Sequence, residues 1–172
     1  MKALRYFLLM LMAGVLLSGC EKDTPLFEDQ EDVELKSAQA PIPFKSNNRA
    51  VYHPEIPGRY MIHGTATHAG KLNPQESFYQ FTSMVPTEID GEMFMYLEGY
   101  GKMVGANGHG MEFTFWSYQT LDYTSYHGQI ILTPGSGTGQ FTGATGILNS
   151  SGGALPEDDF VFNKITGYLV YN

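Results

Sequence analysis

The fold is decided by residues 93–118, which read MFMYLEGYGKMVGANGHGMEFTFWSY. Apolar and polar side chains alternate along both halves of this stretch, with the period of two that a β-strand requires. Between the halves stands Asn107-Gly108, a pair in which both residues tolerate the positive φ of a tight hairpin turn. The stretch therefore predicts two antiparallel strands, residues 93–104 and 111–118, joined at this turn.

The chain from residue 51 onward repeats this pattern. Further strands are predicted at residues 58–68, 77–85, 126–133 and 160–171, with a short one from Phe141 onward. Asp90-Gly91 predicts a turn, and the glycines, proline and acids of residues 149–159 predict a loop. Seven or eight short strands fit a sandwich or a closed barrel. Because a barrel leaves no exposed strand edges, we predict an all-β domain, a single small antiparallel β-barrel of about eight strands over residues 51–172.

The first twenty residues carry a targeting signal. Lys2 and Arg5 give a positive start, residues 7–17 are apolar, and Leu17-Ser18-Gly19-Cys20 holds the only cysteine of the chain. The apolar stretch is too short to span a bilayer as a helix, which needs about 20 residues. The pattern resembles the lipobox of bacterial lipoproteins, which implies removal of a signal peptide, residues 1–19, and acylation of Cys20 as a membrane anchor. The alternative is an ordinary secretory signal followed by an accidental cysteine.

Residues 20–50 predict a disordered tether behind the lipidated cysteine. The segment after Cys20 contains seven acidic and four basic residues, interspersed with three prolines, a composition typical of a self-repelling spacer. Its acidic start resembles the signal by which some Gram-negative bacteria export lipoproteins to the outer face of the outer membrane. We therefore expect a lipid-anchored outer-membrane protein, with exposure on the cell surface favoured and a periplasmic orientation left open.

The charge of the chain excludes nucleic acid as a partner. Removing residues 1–20 takes away Lys2 and Arg5, and so lowers the net charge from −8 to −10. The only lysines and arginines from residue 51 onward are Arg59, Lys71, Lys102 and Lys164. Four scattered cations cannot form the basic footprint that a phosphate backbone needs, and they give no attraction to anionic lipid either. Membrane contact is therefore expected through Cys20 alone.

Two glycine-containing segments carry a second resemblance. Ala106-Asn107-Gly108-His109 is followed about thirty residues later by residues 137–146, which read GTGQFTGATG. The pair resembles the motif Gly-Thr-Gly-x-Phe-x-x-Ala-x-Gly, with an earlier Ala-Asn-Gly-Asp turn, of the allene oxide cyclase and dirigent type of small β-barrel. The resemblance implies a barrel, a cyclase-like or chirality-directing activity, and dimers or trimers among relatives. His109 stands where the family has aspartate, so no role of that aspartate is carried over.

The same glycines have a structural interpretation that is independent of any family. Gly135, Gly137 and Gly139 allow backbone angles that are closed to other residues, and Phe141 then inserts one large ring as the strand resumes. A phosphate-binding loop is excluded, because the segment has neither a Gly-Lys-Ser/Thr ending nor the spacing and helix of a dinucleotide site.

The sequence offers few candidates for chemistry. The five histidines lack metal-ligand spacing, so neither a metal site nor a cofactor is predicted. No Gly-x-Ser-x-Gly elbow occurs, and no cysteine is left for a nucleophile. Glu98 and Glu112 are the only catalytic candidates, because a carboxylate facing a barrel interior has a raised pKa and can serve as acid or base. Exposed positions on the strands are the alternative, and the more common one.

Aromatic residues are the best remaining indication of a ligand. They are numerous for so small a domain, and four are the candidate ligand-binding residues: Tyr60, Tyr96, Trp116 and Tyr118. The alternative is that the rings simply fill the barrel. We therefore expect a non-catalytic binding module for a small apolar ligand or a glycan. The other hypotheses are a cyclase-like or dirigent-like enzyme with an aromatic pocket, and a purely structural envelope component.

Overall fold

The computed structural model describes residues 40–154 and 159–171. The predicted signal peptide, Cys20 and most of the predicted tether lie outside these ranges. Within them, no helix is long and apolar enough to cross a membrane. The described chain forms ten strands and one 3₁₀ turn (Gly139–Phe141, between β7 and β8): β1 (Ile42–Tyr52), β2 (Arg59–Ala66), β3 (Gly70–Lys71), β4 (Phe78–Ile89), β5 (Glu92–Val104), β6 (Gly110–Thr120), β7 (Tyr126–Leu132), β8 (Ala144–Thr145), β9 (Ile147–Gly153) and β10 (Phe160–Tyr171).

Eight of these strands close into a ring. Their order is β1-β10-β9-β7-β6-β5-β4-β2, and β2 pairs back with β1. Every pairing is antiparallel, and the two-residue strands β3 and β8 add to β2 and β10. The predicted all-β fold, an antiparallel barrel of about eight strands, is thus confirmed as a barrel-like ring.

The hairpin predicted at Asn107-Gly108 is present. β5 and β6 pair from Phe94↔Thr120 to Val104↔Gly110. Gly108 has a φ of +78°, and the Asn107 side-chain oxygen accepts a hydrogen bond from the backbone N–H of His109 at 3.1 Å. The turn chemistry read from the sequence therefore fixes the register of β5 and β6.

The barrel begins at residue 42, where β1 begins, and not at residue 51 as predicted. β1 lies largely in the range that its composition assigned to the tether, yet it pairs with both β10 and β2 and so closes the ring. Its buried inward positions are Phe44, Ser46, Asn48 and Ala50. Because two of these four side chains are polar, the apolar alternation that marks a half-buried strand is interrupted, and the strand resembles a spacer.

Two further expectations are corrected at the end of the chain. Residues 149–153, predicted as loop, belong to β9, which pairs with β7 and β10. Its glycines permit the close approach of neighbouring strands and side chains rather than ending the strand. Phe141 lies in the 3₁₀ turn instead of opening a strand, although its ring is fully buried as predicted.

One end of the ring is filled by apolar side chains. This packed end includes Phe44, Met103, Met111, Phe141, Leu148 and Leu169. The β5–β6 turn lies at this end, and the β6–β7 turn lies at the opposite one because neighbouring strands are antiparallel. Burial of these side chains supplies the main stabilisation.

Candidate functional site

The opposite end of the ring contains a cavity of about 240 Å³. Met84 and Tyr123, both about half exposed, lie at its mouth. The remaining lining residues come from β1, β2, β4, β5, β6, β7, β9 and β10 and from Ala154 just after β9: Asn48, Tyr60, Ile62, Tyr79, Phe81, Leu97, Phe113, Phe115, Ser117, Gln119, Tyr126, Ile130, Ser150, Ala154, Val161, Asn163 and Ile165.

One side of the cavity is an aromatic wall, formed by Tyr60, Tyr79, Phe81 and Phe115. Tyr60 and Tyr79 stack with ring centroids 5.1 Å apart and planes 14° from parallel. The other rings meet edge to face at 5.5 to 5.8 Å, an arrangement that ring quadrupoles favour.

Glycines on β5 determine where these rings lie. A Cβ atom at Gly99 would stand 2.6 Å from the Phe115 ring, and one at Gly101 would stand 2.5 Å from the Phe113 ring. Both rings therefore extend over glycine backbone of β5. With these two rings on that side, aromatic groups fill the side of the barrel next to the aromatic wall, and the cavity lies towards the other side.

A chain of hydrogen bonds runs along the open side. The Tyr126 hydroxyl donates to Asn163 Oδ1 at 2.5 Å, and Asn163 Nδ2 donates to Asn48 Oδ1 at 2.8 Å. Asn48 Nδ2 then donates to Ser46 Oγ at 3.0 Å, whose hydroxyl donates to the Thr65 carbonyl at 2.9 Å. The chain links β7, β10, β1 and β2 and fixes the orientation of two buried amides.

Three other buried polar side chains, Ser117, Gln119 and Ser150, form what we call the polar shelf. They are 5%, 8% and 9% exposed and line the cavity. None takes part in a side-chain hydrogen bond within the described residues. In that same part of the chain, no fully enclosed side-chain nitrogen or oxygen lacks a partner. The unpaired groups of the shelf therefore reach the cavity surface.

The described lining of the cavity carries no charge. Among the described residues that line it, none is acidic, basic or histidine. Burial, then the nearby Tyr126 and Tyr60, raises the pKa of Tyr79 well above its ordinary value, and burial likewise raises the pKa of Tyr126. Burial, followed by Tyr52 and Tyr123, raises the pKa of Tyr60 as well. These hydroxyls stay protonated at neutral pH and act as neutral hydrogen-bonding groups.

The four candidate ligand-binding residues separate into two groups. Tyr60 lines the cavity. Tyr96, Trp116 and Tyr118 lie on the outer face of β5 and β6, opposite in alternation to the inward-facing Leu97 and Ser117. On that face the Tyr118 ring lies 5.2 Å from Tyr96 and 5.8 Å from Trp116.

Both catalytic candidates also face outward. Glu98 and Glu112 are exposed. The Tyr96 hydroxyl donates to Glu98 Oε1 at 2.7 Å, which raises the pKa of Tyr96. Glu112 stands opposite Lys102 on β5. Of the two positions considered for these carboxylates, facing the barrel interior or exposed on the strands, the structure shows the exposed one.

Sequence reasoning missed most of the cavity, although one signal pointed to it. The charged Glu98 and Lys102 mark the outer face of β5, and the hairpin register places Trp116 opposite Glu98. Trp116 and Tyr118 are thereby assigned outward and Phe113 and Phe115 inward. No comparable signal was available for Asn48, Asn163 or the polar shelf, whose polar character argues against burial.

Within the described ranges, no group of three or more histidine, cysteine, aspartate or glutamate side chains is arranged to hold a metal ion. Cys20, the predicted lipidation site, lies outside those ranges. Comparison of the chain with protein families, curated proteins and solved structures gave no match.

Proposed function

We propose that the protein is a non-catalytic binding module that takes up a small uncharged molecule in the open end of its barrel. The observation that carries the proposal is a cavity of about 240 Å³ that has an aromatic wall, a polar shelf and, among the described residues, no charged lining residue. An apolar cavity of about 150 Å³ already admits benzene, so this one has room for a larger ring system. Convergent polar groups in a mainly apolar pocket are the usual signature of a small-molecule site.

The proposal places this module on a lipid anchor at the outer membrane. It is supported by the lipobox-like residues Leu17-Ser18-Gly19-Cys20 and the acidic segment behind them. A single acyl chain binds membranes only marginally, and two or more give stable attachment. β1 runs from the packed end towards the mouth, so the chain enters the barrel at the packed end, and the mouth is at the other.

The other two hypotheses have less support. The enzyme hypothesis depended on Glu98 and Glu112, and both side chains face outward. Among the described lining residues, tyrosines are the only titratable groups, and burial raises the pKa of Tyr60, Tyr79 and Tyr126. A purely structural role gives no reason for a cavity that leaves the polar shelf without partners.

The test fills the cavity and measures binding of 2-naphthol, a neutral two-ring molecule, by titration calorimetry on the full-length chain. Ser150→Leu adds apolar bulk inside the cavity, and Ser151→Leu adds the same bulk on the outer face of the same strand. We expect binding to be lost in Ser150→Leu and retained in Ser151→Leu. Absence of binding to the unmodified chain, or equal binding to both variants, contradicts the proposal.

A glycan is a second candidate ligand, for the outer face. The cluster of Tyr96, Trp116 and Tyr118, with the carboxylate of Glu98 beside it, combines ring faces with a hydrogen-bond acceptor. Trp116→Ala should then abolish binding to a polysaccharide that the unmodified protein binds, and should leave binding of 2-naphthol unchanged. Retention of polysaccharide binding in that variant contradicts this candidate.

A further inference from the structure

We infer that the ligand has a flat, uncharged apolar body and one hydrogen-bonding end, a hydroxyl or carbonyl, which the polar shelf holds. The inference rests on the proposed binding function and specifies the chemical class of its ligand. It follows from the unequal distribution of polar groups around the cavity.

A glycine, Gly128, lies between the two serines of the polar shelf. Ser117 stands opposite Gly128, which in turn stands opposite Ser150. Strands lie about 4.8 Å apart, so the two serines stand roughly 10 Å apart across β7, with no side chain on Gly128 between them. A Cβ at Gly128 would stand 2.6 Å from Ser117 Cα, so the glycine is sterically required there. Gln119, two residues beyond Ser117, extends the same face towards the mouth.

The shelf is where the protein leaves its hydrogen-bonding capacity unused. Tyr126, Asn163 and Asn48 already satisfy one another. The hydroxyls of Ser117 and Ser150 have no such partner within the described residues. The shelf groups reach the cavity surface, so a ligand in the cavity can contact them, and covering them without a partner would be unfavourable. A ligand hydroxyl or carbonyl placed in the cavity between Ser117 and Ser150 would satisfy them.

The opposite wall selects the shape of the remaining part of the ligand. The parallel stack of Tyr60 and Tyr79 and the ring of Phe115 present aromatic surface to the cavity. Ring stacking favours a planar apolar group on this side. The body of the ligand therefore lies against β2 and β4, and its polar end lies against β6, β7 and β9.

The absence of charge among the described lining residues excludes a charged end of the ligand. Burying a carboxylate or an ammonium group without a counter-ion is strongly unfavourable. The described lining residues offer no cation or anion to compensate. A carboxylate that otherwise matches the ligand should therefore be rejected.

Three probes that share one ring system separate these requirements: naphthalene, 2-naphthol and 2-naphthoate. In an apolar cavity naphthalene would bind more tightly than 2-naphthol, because burial of an unpaired hydroxyl is unfavourable. With the shelf we expect the reverse, 2-naphthol binding about two- to tenfold more tightly. We expect 2-naphthoate to bind at least about 100-fold more weakly than 2-naphthol.

The variant carrying Ser117→Ala and Ser150→Ala tests the shelf itself in the full-length chain. It should reverse the preference, so that naphthalene binds as tightly as 2-naphthol or more tightly. Ser151→Ala, on the outer face of β9, is the matched control and should keep the original preference. The inference is overturned if the unmodified protein prefers naphthalene, accepts 2-naphthoate equally, or keeps its preference in the double variant. If none of the three probes binds, the binding function itself fails.

Discussion

The Tyr126 hydroxyl reaches across β9 to donate a 2.5 Å hydrogen bond to Asn163 Oδ1 on β10. Gly152 lies between them in the register, opposite both residues. A Cβ at Gly152 would stand 2.8 Å from the Tyr126 ring, so the ring can cross only because that position is glycine. This contact orders the polar side of the cavity and starts the chain of hydrogen bonds through Asn48.

Removal of this hydroxyl should weaken the fold. Tyr126→Phe leaves Asn163 Oδ1 without its donor, and we expect the free energy of unfolding to fall by about 1–3 kcal/mol. Urea denaturation measures the change. Tyr118→Phe, which removes a hydroxyl from the outer face, should alter stability by less than about 0.5 kcal/mol. Equal losses in the two variants would show that the buried contact contributes nothing specific.

The glycine-rich turn provides a test of backbone and packing strain. Gly139 has a φ of +58°, and a Cβ there would stand 2.6 Å from Nε2 of the His109 ring. We expect Gly139→Val to lower the free energy of unfolding by about 2–4 kcal/mol, because the φ is unfavourable for valine and the new side chain overlaps the His109 ring. Gly135 has a φ of +77° and open space around it. Gly135→Val should therefore lower the free energy of unfolding by only about 1–2 kcal/mol. Thermal unfolding measures both changes, and a smaller loss of stability at Gly139 than at Gly135 contradicts the expected overlap with the His109 ring.

The buried tyrosines predict alkaline unfolding. Burial raises the pKa of Tyr79 and of Tyr126 in the folded state, whereas an unfolded tyrosine titrates near pH 10. The folded chain therefore binds more protons above that pH, so stability is fully present below about pH 10 and is lost as the pH rises further. Each tyrosine contributes a slope of up to about 1.4 kcal/mol per pH unit.

Denaturation midpoints from pH 9 to 12 measure this slope. Replacing both Tyr79 and Tyr126 by phenylalanine should flatten it, and Tyr168→Phe, an exposed residue on β10, should leave it unchanged. A slope that persists without the two buried tyrosines would assign it to other groups.

The corrected boundary of the barrel can be tested by shortening the chain. A chain that begins at residue 40 keeps β1 and should give a cooperative unfolding transition. One that begins at residue 51 loses the strand that joins β10 to β2, exposing two strand edges, and we expect it to aggregate or stay unfolded. Circular dichroism and size-exclusion chromatography distinguish the two, and a folded monomer from the shorter chain would restore residue 51 as the boundary.

Lipid attachment depends on one sulfur. Cys20→Ala should abolish labelling by a radioactive fatty acid and leave an unprocessed or mislocalised precursor, because the anchor needs the thiol. Ser18→Ala keeps a small residue beside the cleavage site and should be labelled normally. Labelling of the Cys20 variant at the unmodified level would refute the anchor.

The sequence by itself determined the strands whose alternation is apolar on one side, and the turn that joins β5 to β6. These features depend on local physics, namely the period of two along a strand and the positive φ that Asn107-Gly108 allows. The burial of Phe141 was predicted in the same way, from the glycines that precede it. Ring closure was expected only as a general way to remove strand edges.

Only the tertiary structure decided where the cavity lies and that β1 belongs to the barrel. Asn48 and Asn163 are 115 residues apart in the chain, and each is a buried polar residue that is satisfied only by the other and its neighbours. The alternation of polar and apolar residues within one segment predicts that such residues are exposed, because the partner that compensates for their burial lies in another segment. The cavity likewise depends on rings that lean over Gly99 and Gly101 from a neighbouring strand, a relation that exists only once the strands are paired.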